Sequence, residues 1–336
     1  MFIVNDYALA VVLCFITMLC WGSWGNTQKL ASKSWRYELF YWDYVFGMVL
    51  FSILSGLTLG SFGSEGRSFF ADLAQADWRN IGSVLLGGAV FNASNILLSA
   101  SVSLAGLAVA FPLGVGLALV IGVIVNYIGA PKGDPVILFL GVLLIVLAII
   151  LNGIASSRQS SAQAQTRSSR KGIILAALAG IIMAFFYRFV AAAMDLDNFA
   201  SPTPGMLTPY SALFIFSLGV LASNLLFNTW AMRHPFEGEP VSYKAYFQGS
   251  GATHLVGMLG GAIWALGTAF SYIAAGKAGA AVSYALGQGA PMIAAIWGVF
   301  IWREFRGTQR SVKWLLGCMF LLFAGGLGLI ITSGAN

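Results

Sequence analysis

Ten stretches of this chain are each about as long and as apolar as a helix must be to cross a bilayer, which takes about 20 residues. They run over 7–27, 39–59, 81–103, 105–128, 136–155, 172–194, 206–230, 255–275, 279–302 and 312–332. In lipid every backbone N–H and C=O must be satisfied within the chain, so runs of this length fold as helices. The sequence is 58% hydrophobic and only 9% charged, against about 25% charged residues in a soluble domain. No polar stretch is long enough for a separate soluble domain. The expected fold is an all-α integral membrane protein of ten transmembrane helices.

The spans are related to one another. Laid 173 positions apart without a gap, Leu86, Gly87, Gly88 and Ala89 meet Leu259, Gly260, Gly261 and Ala262. Ala105, Gly106, Ala108 and Val109 meet Ala278, Gly279, Ala281 and Val282, and Leu113, Gly114 and Gly116 meet Leu286, Gly287 and Gly289. Phe91/Trp264, Phe111/Tyr284 and Val123/Ile296 are conservative swaps in the same register. The outer spans agree more weakly, with Gly141, Ala148, Ile154 and Ser157 against Gly317, Ala324, Ile330 and Ser333. Shared composition alone gives only a few matches, so this is an internal repeat, the mark of a transporter fold.

Residues 156–170 are Ser, Gln, Ala and Arg without apolar periodicity, a flexible linker between halves 1–155 and 171–336. Five spans lie on each side. Five is odd, so the second half enters the membrane from the opposite face and the repeats are inverted. Basic residues set the orientation: Lys29, Lys33, Arg36, Arg158, Arg167, Arg170, Lys171, Arg233, Lys244, Arg303, Arg306, Arg310 and Lys313 share one face, against Arg67, Arg79, Lys132 and Lys277. That bias puts the linker in the cytoplasm and both termini outside a cytoplasmic membrane. The net charge of +6 is an orientation signal rather than a nucleic-acid footprint. Cys14, Cys20 and Cys318 have neither CxxC nor metal-ligand spacing. The first stretch is a span rather than a leader, since 21–26 is not a small-residue cleavage site.

Polar side chains at bilayer depth are costly and face a cavity or a partner. Asn92 and Asn95 share a face of the third span; their repeat mates are Ala265 and Thr268, beside Trp264. Tyr284 and Gln288 lie one turn apart on the ninth. Amides with aromatic plates suit a neutral solute rich in hydroxyls or amides, although Asn92 and Asn95 would equally serve as bonds between helices. Trp21 lies deeper than an interfacial belt requires and is a candidate for lining the pathway. Pro112 and Pro291 interrupt the fourth and ninth spans. Gly87/Gly88 and Gly260/Gly261 read as helix contact faces, and Gly106 and Gly279 as tight turns. Asp43 is a candidate proton carrier, or else pairs with Lys29 or Arg36. Arg188 would meet substrate oxygens or a structural partner such as Asp195. His254 reads as interfacial, and Glu304 as a partner for Arg303 or Arg306.

Taken together, these features resemble the drug/metabolite transporter superfamily, and within it the ureide permease family and the neighbouring glucose/ribose porter and rhamnose–proton symporter families. The resemblance covers nearly the whole chain. It is carried by Leu19-Cys20-Trp21-Gly22-Ser23-Trp24, Asp43, Asn92 and Asn95, and by Trp297-Gly298 with Arg303-Glu304-Phe305. It implies uptake of small polar solutes driven by protons. Plant ureide permeases carry a long cytosolic loop with a nucleotide-binding-like motif; the linker here is short and lacks G-x-x-x-x-G-K-[ST].

The expected function is therefore a secondary transporter importing a monosaccharide by proton symport with alternating access. Ureides, nucleobases or nucleosides form the alternative substrate class, and export of drugs or amino acids the alternative direction. Nothing points to a cofactor, a metal or an enzyme: H-E-x-x-H, G-x-S-x-G and a buried acid pair are all missing from the sequence. The partners are the solute, H+ and the bilayer, with monomer and homodimer both open.

Overall fold

The computed structural model describes residues 1–31, 35–105, 107–160, 170–236, 238–303 and 305–335. Ten helices among them are long and apolar enough to cross a membrane: Tyr7–Ala31, Tyr37–Leu57, Trp78–Val102, Pro112–Gly129, Pro135–Gln159, Arg170–Ala191, Pro209–Arg233, Gly251–Ala278, Ala280–Ile301 and Arg310–Ala335. They are the first to tenth spans below, and each falls on one of the ten apolar stretches. Two short helices, Phe69–Gln75 and Tyr243–Phe247, lie in the connections. Lys33, Gly106, residues 161–169 of the linker and Glu304 lie outside the described residues.

Large apolar side chains such as Leu225, Leu226, Ile128 and Leu321 point outward on the spans, as lipid-facing residues do. Burying them against one another would gain little in a bilayer, so helix association rests on close packing. Glycine supplies it. A Cβ on Gly261 would run into the Tyr44 carbonyl, and one on Gly47 into the Met258 carbonyl, so the second and eighth spans touch backbone to backbone. Gly88 and Gly219 do the same for the third and seventh spans, against the Phe216 and Leu85 carbonyls. The fifth and tenth spans close on each other through Gly141 and Gly326, where an added Cβ would lie 2.8 Å from the partner glycine's carbonyl.

Contacts between spans come in exchanged pairs. The third packs on the sixth and seventh, and the eighth packs on the first and second. Replacing each of the first three spans by the one five places later, and the reverse, turns one set into the other.

Two spans are broken. The first is a helix Tyr7–Ser23 followed, after Trp24, by Gly25–Ala31. The ninth is Ala280–Gly287, then a turn at Gln288 and Gly289, then Ala290–Ile296 with Pro291 in its first turn, and finally a π-helical turn Trp297–Ile301. Pro291 lacks an N–H and so starts a helix more easily than it continues one. Pro112 instead lies within the continuous helix Leu107–Gly129, in its second turn rather than at a mid-span break. Gly279 has φ +84° and makes the reversal between the eighth and ninth spans, a conformation glycine adopts without steric cost.

Candidate functional site

A closed circuit of side chains links the first, second, third and eighth spans. Trp21 stacks on Trp264 with centroids 5.8 Å apart and planes 7° from parallel. Trp264 meets Phe91 at 4.5 Å. One turn beyond Phe91, Asn95 donates its Nδ2–H to the Tyr41 hydroxyl at 3.3 Å. Tyr41 stacks on Tyr44 at 5.5 Å, and Tyr44 meets Trp24 at 4.8 Å. Trp24 is three residues, one helical turn, from Trp21, which closes the ring. The circuit consists of aromatic faces with hydroxyl and amide groups set among them, and it holds no charged side chain.

The polar atoms of this ring are only partly satisfied by protein. Trp21 donates its indole N–H to the Thr268 hydroxyl at 3.1 Å, while that hydroxyl donates back to the Trp264 carbonyl at 3.0 Å. Asn95 is half-buried, with the one bond to Tyr41. The Tyr44 hydroxyl is buried and has no hydrogen-bond partner among the described residues. Gly287 lies against the Trp21 ring, where an added Cβ would be 2.8 Å away. This brings the break in the ninth span, and Gln288 on it, beside the ring. Gln288 is half-buried, and no hydrogen bond of its side chain occurs among the described residues.

The sequence candidates therefore divide. Trp21, Asn95, Trp264 and Thr268 come together, with Gln288 adjacent. Asn92 is fully buried and donates to the Ser223 hydroxyl at 2.9 Å, joining the third span to the seventh. Tyr284 is buried and donates to the Ala118 carbonyl at 3.0 Å, joining the ninth span to the fourth. Both therefore make contacts between helices, and the buried Asn92 Oδ1 has no hydrogen-bond partner among the described residues. Arg188 lies in the last turn of the sixth span with its guanidinium packed on Gly129. Phe186, two residues earlier, points instead toward Phe91 and Tyr284. Asp195 accepts from the Thr203 backbone N–H at 2.8 Å and from its hydroxyl at 2.7 Å, and it forms no ion pair with Arg188 among the described residues.

Asp43 occupies a second polar centre. It sits in the second turn of the second span, 1% exposed, and neither Lys29 nor Arg36 is its partner. Its Oδ2 accepts from the Trp35 indole N–H at 2.9 Å. Its Oδ1 accepts from the Tyr246 hydroxyl at 2.6 Å and lies 2.7 Å from His254 Nδ1. Gly257 admits this contact, because any Cβ there would collide with the Asp43 side chain. Arg36 turns away to Glu38 at 2.8 Å and to the Glu239 carbonyl. Burial, and then the neighbouring carboxylate, push the Tyr246 phenol well above its ordinary range, so it stays protonated and a donor. His254, in the first turn of the eighth span and 19% exposed, thus has Asp43 as its polar neighbour.

Sequence reasoning did not single out Tyr41, Tyr44, Trp35 or Tyr246. Tyr37, Tyr41 and Tyr44 recur at helical spacing, a signal that also fits ordinary core packing. It also passed over Tyr187, whose hydroxyl lies 2.9 Å from Ser271 Oγ and 3.3 Å from Ser283 Oγ in a buried network beside the Gly279 turn.

The ureide permease family model matches residues 40–171 and 154–333. Ureide permease 1 of Arabidopsis thaliana is 23% identical over 100% of both chains. The "Probable glucose uptake protein GlcU" of Priestia megaterium is 24% identical over 67% of this chain and 70% of its own. A solved structure superposes with a TM-score of 0.60 over 96% of each chain at 15% identity, a likeness of fold alone.

Proposed function

This chain belongs to the ureide permease family and is an integral membrane transporter rather than an enzyme, and from that premise we propose that it imports a small neutral polar solute by proton symport. The observation that carries this reading is the uncharged ring of Trp21, Trp24, Tyr41, Tyr44, Phe91, Asn95 and Trp264. Aromatic faces cover the apolar sides of a sugar or a heterocycle, while amide and hydroxyl groups fix its orientation. A monosaccharide is the leading class, in keeping with the glucose uptake relative. A ureide or nucleobase is the second reading, favoured by likeness to Arabidopsis ureide permeases along the whole chain. Uptake is the direction that the name of the glucose uptake relative supports.

The two halves act as inverted repeats, 1–155 and 171–336, joined by the linker 156–170. The exchanged contacts between spans support this, as does the meeting of the repeat mates Phe91 and Trp264 near the middle of the molecule. Rocking of one half against the other then exposes the ring alternately to each side. By the distribution of basic residues, the Asp43 cluster lies at the inner mouth of a cytoplasmic membrane.

Asp43 carries the coupling proton. As a carboxylate it holds Trp35, Tyr246 and His254 together and ties the short helix Tyr243–Phe247 to the second and eighth spans. A proton on Asp43 neutralises the carboxylate, removes the attraction to His254 and loosens the inner mouth. Asp43 adjoins Tyr44, which links the proton site to the solute ring. Release of solute and proton to the cytoplasm restores the carboxylate and closes the mouth again.

Thermal denaturation of the purified protein against glucose, allantoin and uracil tests the substrate class. The ligand of the ring raises the melting temperature of the native chain and not that of Asn95→Leu. No shift with any of the three, or an equal shift in the variant, contradicts the reading.

A further inference from the structure

At its inner end the ninth span leaves α-helical geometry. The π-helical turn Trp297–Ile301 is followed by Arg303, which adopts φ +53°, a left-handed conformation uncommon for a residue with a side chain. Between this end and the start of the tenth span lies a cavity of about 530 Å³. Arg303, Arg306 and Lys313 line it together with Phe300, Leu316 and Phe320. An added Cβ at Gly317, also on the lining, would meet nothing within 4 Å.

Three cations thus share one apolar-floored hollow. The ion pairs among the described residues are Arg36–Glu38, Arg67–Asp72 and His254–Asp43, and these three cations take part in none of them. From 303 to 313 the sequence carries Arg303, Arg306, Arg310 and Lys313 against Glu304 alone. Around the hollow the surface is apolar and outward-facing: Phe300 is 63% exposed, Trp314 66% and Leu321 76%. A cationic hollow continuous with such a surface, at the face carrying most of the basic residues, matches a ligand with an anionic head and hydrocarbon tails.

The geometry points to a binding site for an anionic phospholipid of the inner leaflet. Its phosphate lies among Arg303, Arg306 and Lys313, and its acyl chains run down over Phe300 and Phe320. Juxtamembrane cations attract anionic lipid headgroups in this manner, and basic hollows between helices hold them. The site has a route to the transport machinery. Trp302 donates its indole N–H to Asn26 Oδ1 at 2.6 Å, Lys29 sits 4.3 Å over the Trp302 ring, and Trp297 donates to Ser23 Oγ at 2.9 Å. A lipid that steadies this end of the ninth span therefore steadies the end of the first span, next to Trp24 and Trp21.

The test is native mass spectrometry of the full-length protein released from micelles containing equal phosphatidylglycerol and phosphatidylcholine. The native chain retains phosphatidylglycerol preferentially. R303Q/R306Q/K313Q loses that preference by about fivefold per cation removed, whereas K171Q/R233Q keeps it. Gly317→Leu, which fills the hollow and leaves every cation in place, also loses it and covers the case in which the triple variant fails to fold. Equal retention of both lipids by the native chain overturns the proposal. So does displacement of phosphatidylglycerol by millimolar inorganic phosphate, which would mark a free-anion site, or a lipid-free dimer, in which a second copy covers this face.

Discussion

Phe91 and Trp264 occupy equivalent positions in the two halves of the chain and meet ring against ring, 4.5 Å apart. Trp21 stacks on the far side of Trp264 and bonds Thr268 one turn further on. Thr268→Val keeps the shape and removes the acceptor, which is worth about 1 kcal/mol. Uptake should show a KM raised severalfold together with a melting temperature lowered by a few degrees, whereas Trp264→Ala should lose measurable uptake. Native KM in Thr268→Val would remove this hydroxyl from the site.

Asn92 and Asn95 lie on one face of the third span but bond different partners, Ser223 and Tyr41. Asn95→Leu removes a group that faces the ring, and uptake should fall at least tenfold in a protein that inserts and melts normally. Asn92→Leu breaks the bond to Ser223. Its melting temperature should fall by several degrees, consistent with a cost of about 1–3 kcal/mol for disturbing a buried pair, while the protein that remains folded transports with native KM. The reverse pattern would exchange their roles.

Asp43→Asn preserves the shape of the cluster with Trp35, Tyr246 and His254 and cannot cycle a proton. Counterflow exchange of solute should survive, and accumulation against a gradient should vanish. His254→Gln keeps a hydrogen-bonding group but cannot become a cation. In the native chain uptake should rise as the outer pH is lowered, since more protons are then available to Asp43; in His254→Gln that rise should be flattened. A native pH profile in both variants would discard the cluster as the coupling site.

Gly261→Ala drives a methyl group into the Tyr44 carbonyl, backbone against backbone. Overpacking of this kind costs about 1–3 kcal/mol, so the melting temperature should drop clearly. Gly317→Ala, where the space is open, should be neutral. Equal stability of the two would mean that the second and eighth spans approach less closely than described.

The ten spans were legible because length and apolarity alone decide which segments cross a bilayer. The split between Asn92 and Asn95 was not, since both sit on one helical face and only the seventh span's Ser223 distinguishes them. The bond from Tyr284 to the Ala118 carbonyl was not legible either, since a backbone partner leaves no mark in the sequence. Arg188 looked deep in its span; the helix ends at Ala191, which places the cation in the last turn. The partners of Asp43 come from three separate segments, before the second span, in the short helix and in the eighth span, and no local pattern links them.

Accumulation in proteoliposomes under an imposed pH gradient tests the account most directly, with labelled glucose and labelled allantoin as parallel probes. At least one should concentrate inside vesicles whose exterior is acidic, collapse to equilibrium on adding a protonophore, and fail to concentrate with Asp43→Asn. If both probes merely equilibrate, or leave preloaded vesicles against the gradient, the chain is not a proton-driven importer of such solutes.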